Sequence, residues 1–378
     1  MISFRQSLAV LSGMLSLLAL FFFPLGEING EAISLWDDSG LTAFAVVSLL
    51  ASIAVILNLL RGLIADLVMV ILPHVGAWIM LARLDVADQN LTSGFWCLVL
   101  SAWLMAWVLV DQLSAKKTKT PTAKRFYNIV VPVLFGVWLL LLWELVVRGF
   151  QVPTVLLPPP SMIGARFMAS TDILWADFQQ TFLKAVLIGY VLGCGSAFIT
   201  AILIDRSPFL QRGLLPIGNL VSALPIIGVA PIMVMWFGFD WQSKAAVVII
   251  MTFFPMLVNT VAGLSITSSI EKDMMKTYAA SYWQSLIKLR LPSALPFIFN
   301  ALKINSTLAM IGAIVAEFFG TPIVGMGFRI STEVGRMNVD MVWAEIAVAA
   351  LAGTAFYGIM NVIERACTFW HPSFRSSR

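Results

Sequence analysis

Residues 244–264 read KAAVVIIMTFFPMLVNTVAGL, and residues 295–317 read LPFIFNALKINSTLAMIGAIVAE. Each run is long enough to cross the hydrocarbon core of a bilayer, which needs about 20 mostly apolar residues. Between the two runs lies a polar stretch that starts SITSSIEKDMMKTYAA at Ser265 and ends at Pro292. Two membrane spans joined by a polar, helix-capable segment are therefore the predicted central unit of this fold.

The composition of the whole chain agrees with this local pattern. Of its 378 residues, 60% are hydrophobic and only 12% are charged, which is more apolar surface than a water-soluble fold can bury. An all-α polytopic membrane protein with about ten transmembrane helices is predicted. The first run lacks a small-residue cleavage site and is read as an anchor rather than a signal peptide. The candidate spans are 7–24, 41–60, 63–82, 94–112, 128–147, 181–204, 213–237, 244–264, 295–317 and 341–363.

The positions of Lys and Arg predict the orientation. Most of them fall on one side when the N-terminus is placed inside, so both termini and the polar segment at 273–292 are expected to be cytoplasmic. The net charge of +4 then reflects membrane topology, because no basic stripe interleaved with aromatics suggests nucleic-acid binding.

A basic stretch at 113–125 divides the chain into two predicted modules. Residues 1–112 hold four short-looped spans, and residues 126–378 hold six. A Lys/Arg-rich linker of this kind is usually a topology determinant that faces anionic lipid, with contact to a soluble ATPase as the alternative. The first module has three open interpretations: a scaffold, a lipid-binding unit or a contact for an accessory subunit.

The polar segment carries a recognisable spacing. Asp273 is followed six residues later by the small residue Ala279, and ten residues beyond that Leu289 opens an aliphatic-x-Leu-Pro pattern that ends at Pro292. This resembles the cytoplasmic coupling loop of ABC importer permeases, with Asp273 in place of a Glu and Ala279 in place of a Gly. An ordinary amphipathic loop helix is the alternative. A coupling helix is expected over 271–291, and the residues assigned to it are Asp273, Lys276, Ala279, Ala280, Trp283, Leu289 and Pro292.

The resemblance extends over about 127–372. The stretches SALPIIGVAP from Ser222, WFG from Trp236 and IGAIVAEF from Ile311 with GMG from Gly325 are similar to permeases of the nitrate/sulfonate/taurine branch, closest to those for riboflavin and pyrimidines. The resemblance implies a type I core in the bacterial inner membrane, a second copy of the chain, cytoplasmic ATPase subunits that bind ATP and Mg²⁺, and an external substrate-binding protein. A heterocycle or a small organic anion is the expected substrate.

Polar residues and prolines inside the spans suggest a translocation path. Proline removes a backbone donor and favours a kink, and freed carbonyls at membrane depth need a partner or a water-lined cavity. Packing kinks, interhelical amide contacts and snorkelling near a membrane face remain alternatives. The residues assigned to the path are Ser222, Pro225, Pro231, Trp236, Asn259, Asn305 and Glu317.

The sequence contains none of the catalytic or metal-binding motifs of an enzyme. It has no GxxxxGK[ST] loop, so ATP hydrolysis is assigned to a partner, and no cofactor is expected in this chain. Neither histidine has companion ligands for a metal. An ion-driven secondary transporter is the second hypothesis, although such proteins show related halves and acidic residues near the midplane. A membrane enzyme is the third.

Overall fold

The computed structural model describes residues 3–28, 31–59, 62–84, 89–116, 120–207, 209–210, 212–213, 216, 225–320 and 323–370. In these ranges the chain is almost entirely helical, and nine helices are long and apolar enough to cross a membrane. The all-α polytopic prediction is confirmed. The predicted span at 213–237 is described mainly from residue 225 onward, as a shorter apolar helix.

Two compact units divide the chain between Met162 and Ile163. The predicted division into a four-span module and a six-span core at 113–125 stays a prediction. Residues 113–114 end one helix and 121–125 begin the next, so the described part of the basic stretch is mostly helix ends.

The first unit is built from five long helices. They are α1 (Phe4–Phe21), α2 (Ser39–Ile56), α3 (Gly62–Arg83), α4 (Ser93–Ser114) and α5 (Pro121–Gly149). A small antiparallel sheet of β1 (Gly26–Ile28), β2 (Glu31–Ile33) and β3 (Gln89–Leu91), in the order β2-β1-β3, lies between helix ends.

A buried serine cluster joins three helices of this unit. The Ser101 hydroxyl of α4 lies 2.8 Å from that of Ser12, 2.9 Å from that of Ser16 and 3.0 Å from that of Ser48. Lipid tails are as apolar as leucine side chains, so the hydrophobic effect does little to hold helices together in a membrane. Hydroxyls that bond across helices stabilise the packing instead. The cluster therefore gives these serines a structural role inside apolar spans, and no translocation path is needed to explain them.

The second unit contains the remaining helices. They are α6 (Pro160–Ala169, which crosses the boundary), α7 (Thr171–Phe178), α8 (Leu187–Arg206), α9 (Ile226–Phe237), α10 (Trp241–Ser265), α11 (Ser269–Thr277), α12 (Tyr282–Ser285), α13 (Leu291–Glu317), α14 (Met326–Gly335) and α15 (Val339–Cys367). The π-helical stretch Gln179–Val186 joins α7 to α8, and Leu286–Arg290 joins α12 to α13.

Helix α10 lies at the centre of this unit and packs against α8 and α13. The helices approach closely because each contact contains a glycine. A Cβ on Gly189 of α8 would lie 2.6 Å from the Cβ of Val248 in α10. On the other side of α10, a Cβ on Gly263 would lie 2.9 Å from the Cβ of Phe297 in α13. Small residues at helix interfaces allow this packing in lipid. The three helices hold the polar segment 266–290 at one end.

Candidate functional site

The polar segment begins with a well-capped helix. Ser268 is the N-cap of α11, where its hydroxyl accepts from the Glu271 N–H at 3.3 Å and its own N–H donates to the Glu271 carboxylate at 2.9 Å. This reciprocal arrangement satisfies two donors that a helix start otherwise leaves unpaired. Helix α11 therefore has a defined start directly after the span α10.

A break separates α11 from α12, so the single helix predicted over 271–291 is corrected to two helices. Ala279 has φ +53°, in the left-handed region, and its N–H donates to the Lys276 carbonyl at 2.8 Å. Ser281 then caps α12 in a second reciprocal arrangement with Gln284. A left-handed residue after a helix is usually glycine. Ala279 occupies the glycine position of the motif, and its left-handed conformation gives a physical reason for glycine at that position.

One face of the two short helices is apolar and exposed. Ile270, Met274 and Tyr278 are spaced four residues apart and are 80%, 52% and 79% exposed. Trp283 of α12 and Ile287 of the following π-helical stretch are exposed as well. Residues four apart lie on the same helix face. The assigned residues Asp273 and Lys276 pair with each other at 2.9 Å and are also exposed. We call this set of residues, 270–287, the coupling surface.

The coupling surface is tied to the spans by a largely buried ion pair that sequence reasoning missed. Arg290 donates to both carboxylate oxygens of Asp205, at 2.7 and 2.5 Å, and to the Leu264 carbonyl at 3.0 and 3.2 Å. The Tyr282 hydroxyl donates to Asp205 at 2.9 Å. The only sequence signal was a pair of opposite charges at the ends of two apolar runs.

This anchor links three elements. Asp205 lies at the end of α8, Leu264 at the end of α10, and Arg290 directly before α13. Bidentate Arg–carboxylate bonds fix orientation as well as distance. Leu289 and Pro292, both assigned from the motif, are partly buried beside Arg290. The anchor therefore fixes the stretch before α13, and Tyr282 of α12, to the ends of α8 and α10.

Helix α9 carries both prolines that were assigned to the predicted path, and one of them lies at its start. Ser222 lies outside the described residues. Pro225 is the N-cap of α9 rather than a residue inside it, a place where its missing N–H leaves no helical hydrogen bond unmade, and its role in a path stays a prediction. Pro231 does lie inside α9. Trp236 is 71% exposed on the same helix.

The two amides assigned to the path make contacts inside the second unit. Asn305 is fully buried and donates to the Thr252 carbonyl at 2.7 Å and to the Cys194 sulfur at 3.2 Å, so it connects α13 to α10 and α8. Asn259 donates to the Pro255 carbonyl of its own helix at 2.8 Å. Asn305 thus makes contacts between helices, and Asn259 makes one within its own helix. The role of both residues in a path stays a prediction.

Glu317 lies at the far end of α13 from the coupling surface, where it is 2% exposed. Its carboxylate accepts from the Thr181 hydroxyl at 2.8 Å and from the Gly327 N–H at 2.7 Å. The Met326 N–H donates to the Thr181 oxygen at 2.8 Å. These groups satisfy the first donors of α14, where a negative charge also complements the helix dipole.

Asp177 completes this cap, and it too was missed from sequence. It is fully buried and accepts from the Gly325 N–H at 2.6 Å and from Arg329 at 2.8 Å. Burial lowers the pKa of Arg329, but the bond to Asp177 and nearby carboxylates raise it above its ordinary value. Gly325 has φ +140°, and a Cβ there would lie 2.7 Å from the Glu317 carboxylate. The Glu and the Gly-x-Gly of the sequence thus form one capping unit.

Replacement of Glu317 by alanine should lower the unfolding temperature of the detergent-solubilised chain. The Gly327 N–H and the Thr181 hydroxyl lose their acceptor, and a buried unsatisfied donor costs about 1–3 kcal/mol. Glu317→Gln keeps one acceptor oxygen and should lie between the parent and the alanine variant. An unchanged unfolding temperature for Glu317→Ala would contradict the capping role.

Residues 185–368, from the π-helical stretch through α15, match the sequence profile of the family described as "Binding-protein-dependent transport system inner membrane component". A probable ABC transporter permease protein of Haemophilus influenzae is 30% identical over 61% of this chain and 93% of its own length. The chain belongs to this family of ABC importer permeases. It is thus a multi-pass transport subunit of the inner membrane and not an enzyme.

Other permeases cover a similar part of the chain. The formylaminopyrimidine transport permease ThiX of Halalkalibacterium halodurans is 30% identical over 65% of this chain and 98% of its own length. The riboflavin transport permease RibX of Chloroflexus aurantiacus is 30% identical over 62% of this chain and 88% of its own length. This permease is longer than these relatives, since nearly their whole length matches about two thirds of it.

Proposed function

We propose that the chain is the membrane-spanning subunit of an importer in which a partner ATPase drives alternating access for a small solute. The observation that supports this most is the exposed apolar coupling surface, held to three spans by the Arg290–Asp205 anchor. An exposed apolar patch with a polar rim is typical of a protein-docking site. ATP and Mg²⁺ would be bound by the partner, and no cofactor by this chain.

The partner arrangement follows from the family. An ABC permease works with ATPase subunits inside and a substrate-binding protein outside. The positions of Lys and Arg support cytoplasmic termini for this chain. A second copy of the chain is part of the proposal. Two ATP sites that close symmetrically need two coupling surfaces, and a twofold dimer supplies them. The exposed apolar face of α9, which includes Ile232, Met235 and Trp236, is available for it.

The proposed substrate is a small heterocycle, with a small organic anion as the second candidate. Two 30% identical relatives are named for formylaminopyrimidine and riboflavin transport. A relative named for aliphatic sulfonates, from Bacillus subtilis, is 26% identical. The assigned path residues are uncharged apart from Glu317, whose carboxylate is engaged in the α14 cap, and this favours a neutral solute.

Uptake into proteoliposomes tests the proposal. The permease, its co-purifying ATPase and the binding protein should accumulate a labelled heterocycle only when ATP is present on the ATPase side. Ionophores should leave this uptake unchanged, because no ion gradient drives it. Uptake by the permease alone that an ionophore abolishes would refute the proposal and favour the secondary transporter.

A further inference from the structure

A cationic cavity lies where α4 ends and α5 begins. Its volume is about 530 Å³, and Lys116, Lys124 and Asn128 line its polar part. Leu113 and Val131 line its apolar part. At 1.5 Å rise per residue, Val131 lies roughly 10 Å further along α5 than Lys124. The cavity therefore changes from charged to apolar along the helix axis.

The cavity lies at the level of a membrane surface, whichever way the chain is oriented. Helices α4 and α5 are both candidate spans, and the cavity occupies the ends at which they are joined. Its charged part thus faces the headgroup layer, and Val131 and Pro132 lie toward the hydrocarbon. Basic pockets between spans at this depth suit lipid headgroups.

One of the two lysines is held in position. The Lys116 ammonium pairs with Asp66, and Asp66 also accepts a hydrogen bond from Gln112 at 2.7 Å. The same ammonium lies 5.7 Å from the centroid of the Tyr127 ring. Asp66 is therefore already engaged with Lys116 and Gln112. The ammonium keeps donors for a further acceptor, since it has three N–H groups.

The positive charge at this point is not balanced. In the described part of the chain, neither Lys124 nor Arg125 has an ion-pair partner. Both lie near the start of α5, where Thr120 provides no side-chain cap and the first turn has no acidic residue. A helix start carries partial positive charge, so cations there are unfavourable and an anion is stabilised.

The cavity also offers an acceptor. Pro132 has no N–H, so it cannot donate to the carbonyl of Asn128 four residues earlier, and both residues line the cavity. A ligand hydroxyl would satisfy such a carbonyl. The complete set of groups matches a phosphate monoanion that carries a hydroxyl-bearing headgroup and an apolar tail.

We propose that this cavity binds an anionic glycerophospholipid, with its phosphate between Lys116 and Lys124 and its acyl region along Val131 and Pro132. This gives the first unit a lipid-binding role at its basic end. The proposal does not depend on the transport assignment, because it uses only residues 66–132.

Thermal unfolding and native mass spectrometry of the full-length chain test it. Phosphatidylglycerol should raise the unfolding temperature more than equal amounts of phosphatidylcholine or inorganic phosphate. Lys124→Ala should weaken phosphatidylglycerol binding about fivefold, the effect of one lysine near an anionic surface. Lys288→Ala, which removes an exposed lysine outside both the cavity and the coupling surface, should leave this binding unchanged.

Each other result would overturn the proposal. Equal stabilisation by phosphatidylcholine would show that the net negative charge of the lipid is not recognised, and stabilisation by inorganic phosphate would show a soluble ligand. Unchanged binding in Lys124→Ala would place the lipid elsewhere. Lys124 is exposed, so the variant should fold. Pro132→Ala gives a second test: it restores an N–H that can bond the Asn128 carbonyl, so this acceptor is no longer open to the ligand and weaker binding is expected.

Discussion

Replacement of Ala279 by aspartate is expected to abolish stimulation of the partner ATPase by the loaded binding protein, while the permease still inserts and purifies. Ala279 has φ +53°, a conformation that aspartate tolerates better than most residues, so the turn between α11 and α12 should persist. The new carboxylate would lie beside the apolar coupling surface, where an unpaired charge must lose its water on docking. Stimulated ATP hydrolysis in the reconstituted complex is the measurement.

Ala279→Gly is the matched control. Glycine adopts positive φ without steric cost and occupies this position in the motif. It should keep full stimulation and raise, or leave unchanged, the unfolding temperature. Normal stimulation in the aspartate variant, or its loss in the glycine variant, would argue against the coupling role of this segment.

Removal of Arg290 should have the second large effect. Arg290→Ala leaves the Asp205 carboxylate, whose side chain is only 10% exposed, with the Tyr282 hydroxyl as its remaining described partner. Breaking one side of a buried pair typically costs about 3–5 kcal/mol. We expect a lower unfolding temperature and an ATPase that is bound but weakly stimulated, because the coupling surface is no longer fixed to α8 and α10.

Two further variants separate charge from geometry. Arg290→Lys keeps the charge but not the planar fork that contacts Asp205 and Leu264 together, so it should restore stability more than stimulation. Lys288→Ala, an exposed neighbour on the same π-helical stretch, should match the parent in both. Full stimulation in Arg290→Ala would show that the anchor is structural only.

Much of the fold could be predicted because its signals are local. The length of an apolar run decides whether it can span a bilayer, and the nine candidate spans found among the described residues correspond to nine of the predicted runs. The spacing from Asp273 to Pro292 predicted the position of the polar segment for the same reason. The interruption at Ala279 was missed, because alanine favours helix in sequence and only its backbone angle reveals the turn.

The candidate site was predicted less completely. Pro225 was placed inside a helix because composition alone does not separate a helix start from a helix interior in a continuous apolar run. Glu317 was named from its cost in a span, but its hydrogen bonds to Thr181 and to the turn before α14 depend on packing.

The amino-acid sequence by itself determined that this chain is a polytopic helical membrane protein, and its motif indicated the family. These properties depend on run length, composition and spacing within about 20 residues. Only the tertiary structure decided that Arg290 meets Asp205, 85 positions away, and that Gly325 meets Asp177, 148 positions away. Such pairs arise when helices pack, and no periodicity along one helix specifies the partner that packing brings to it.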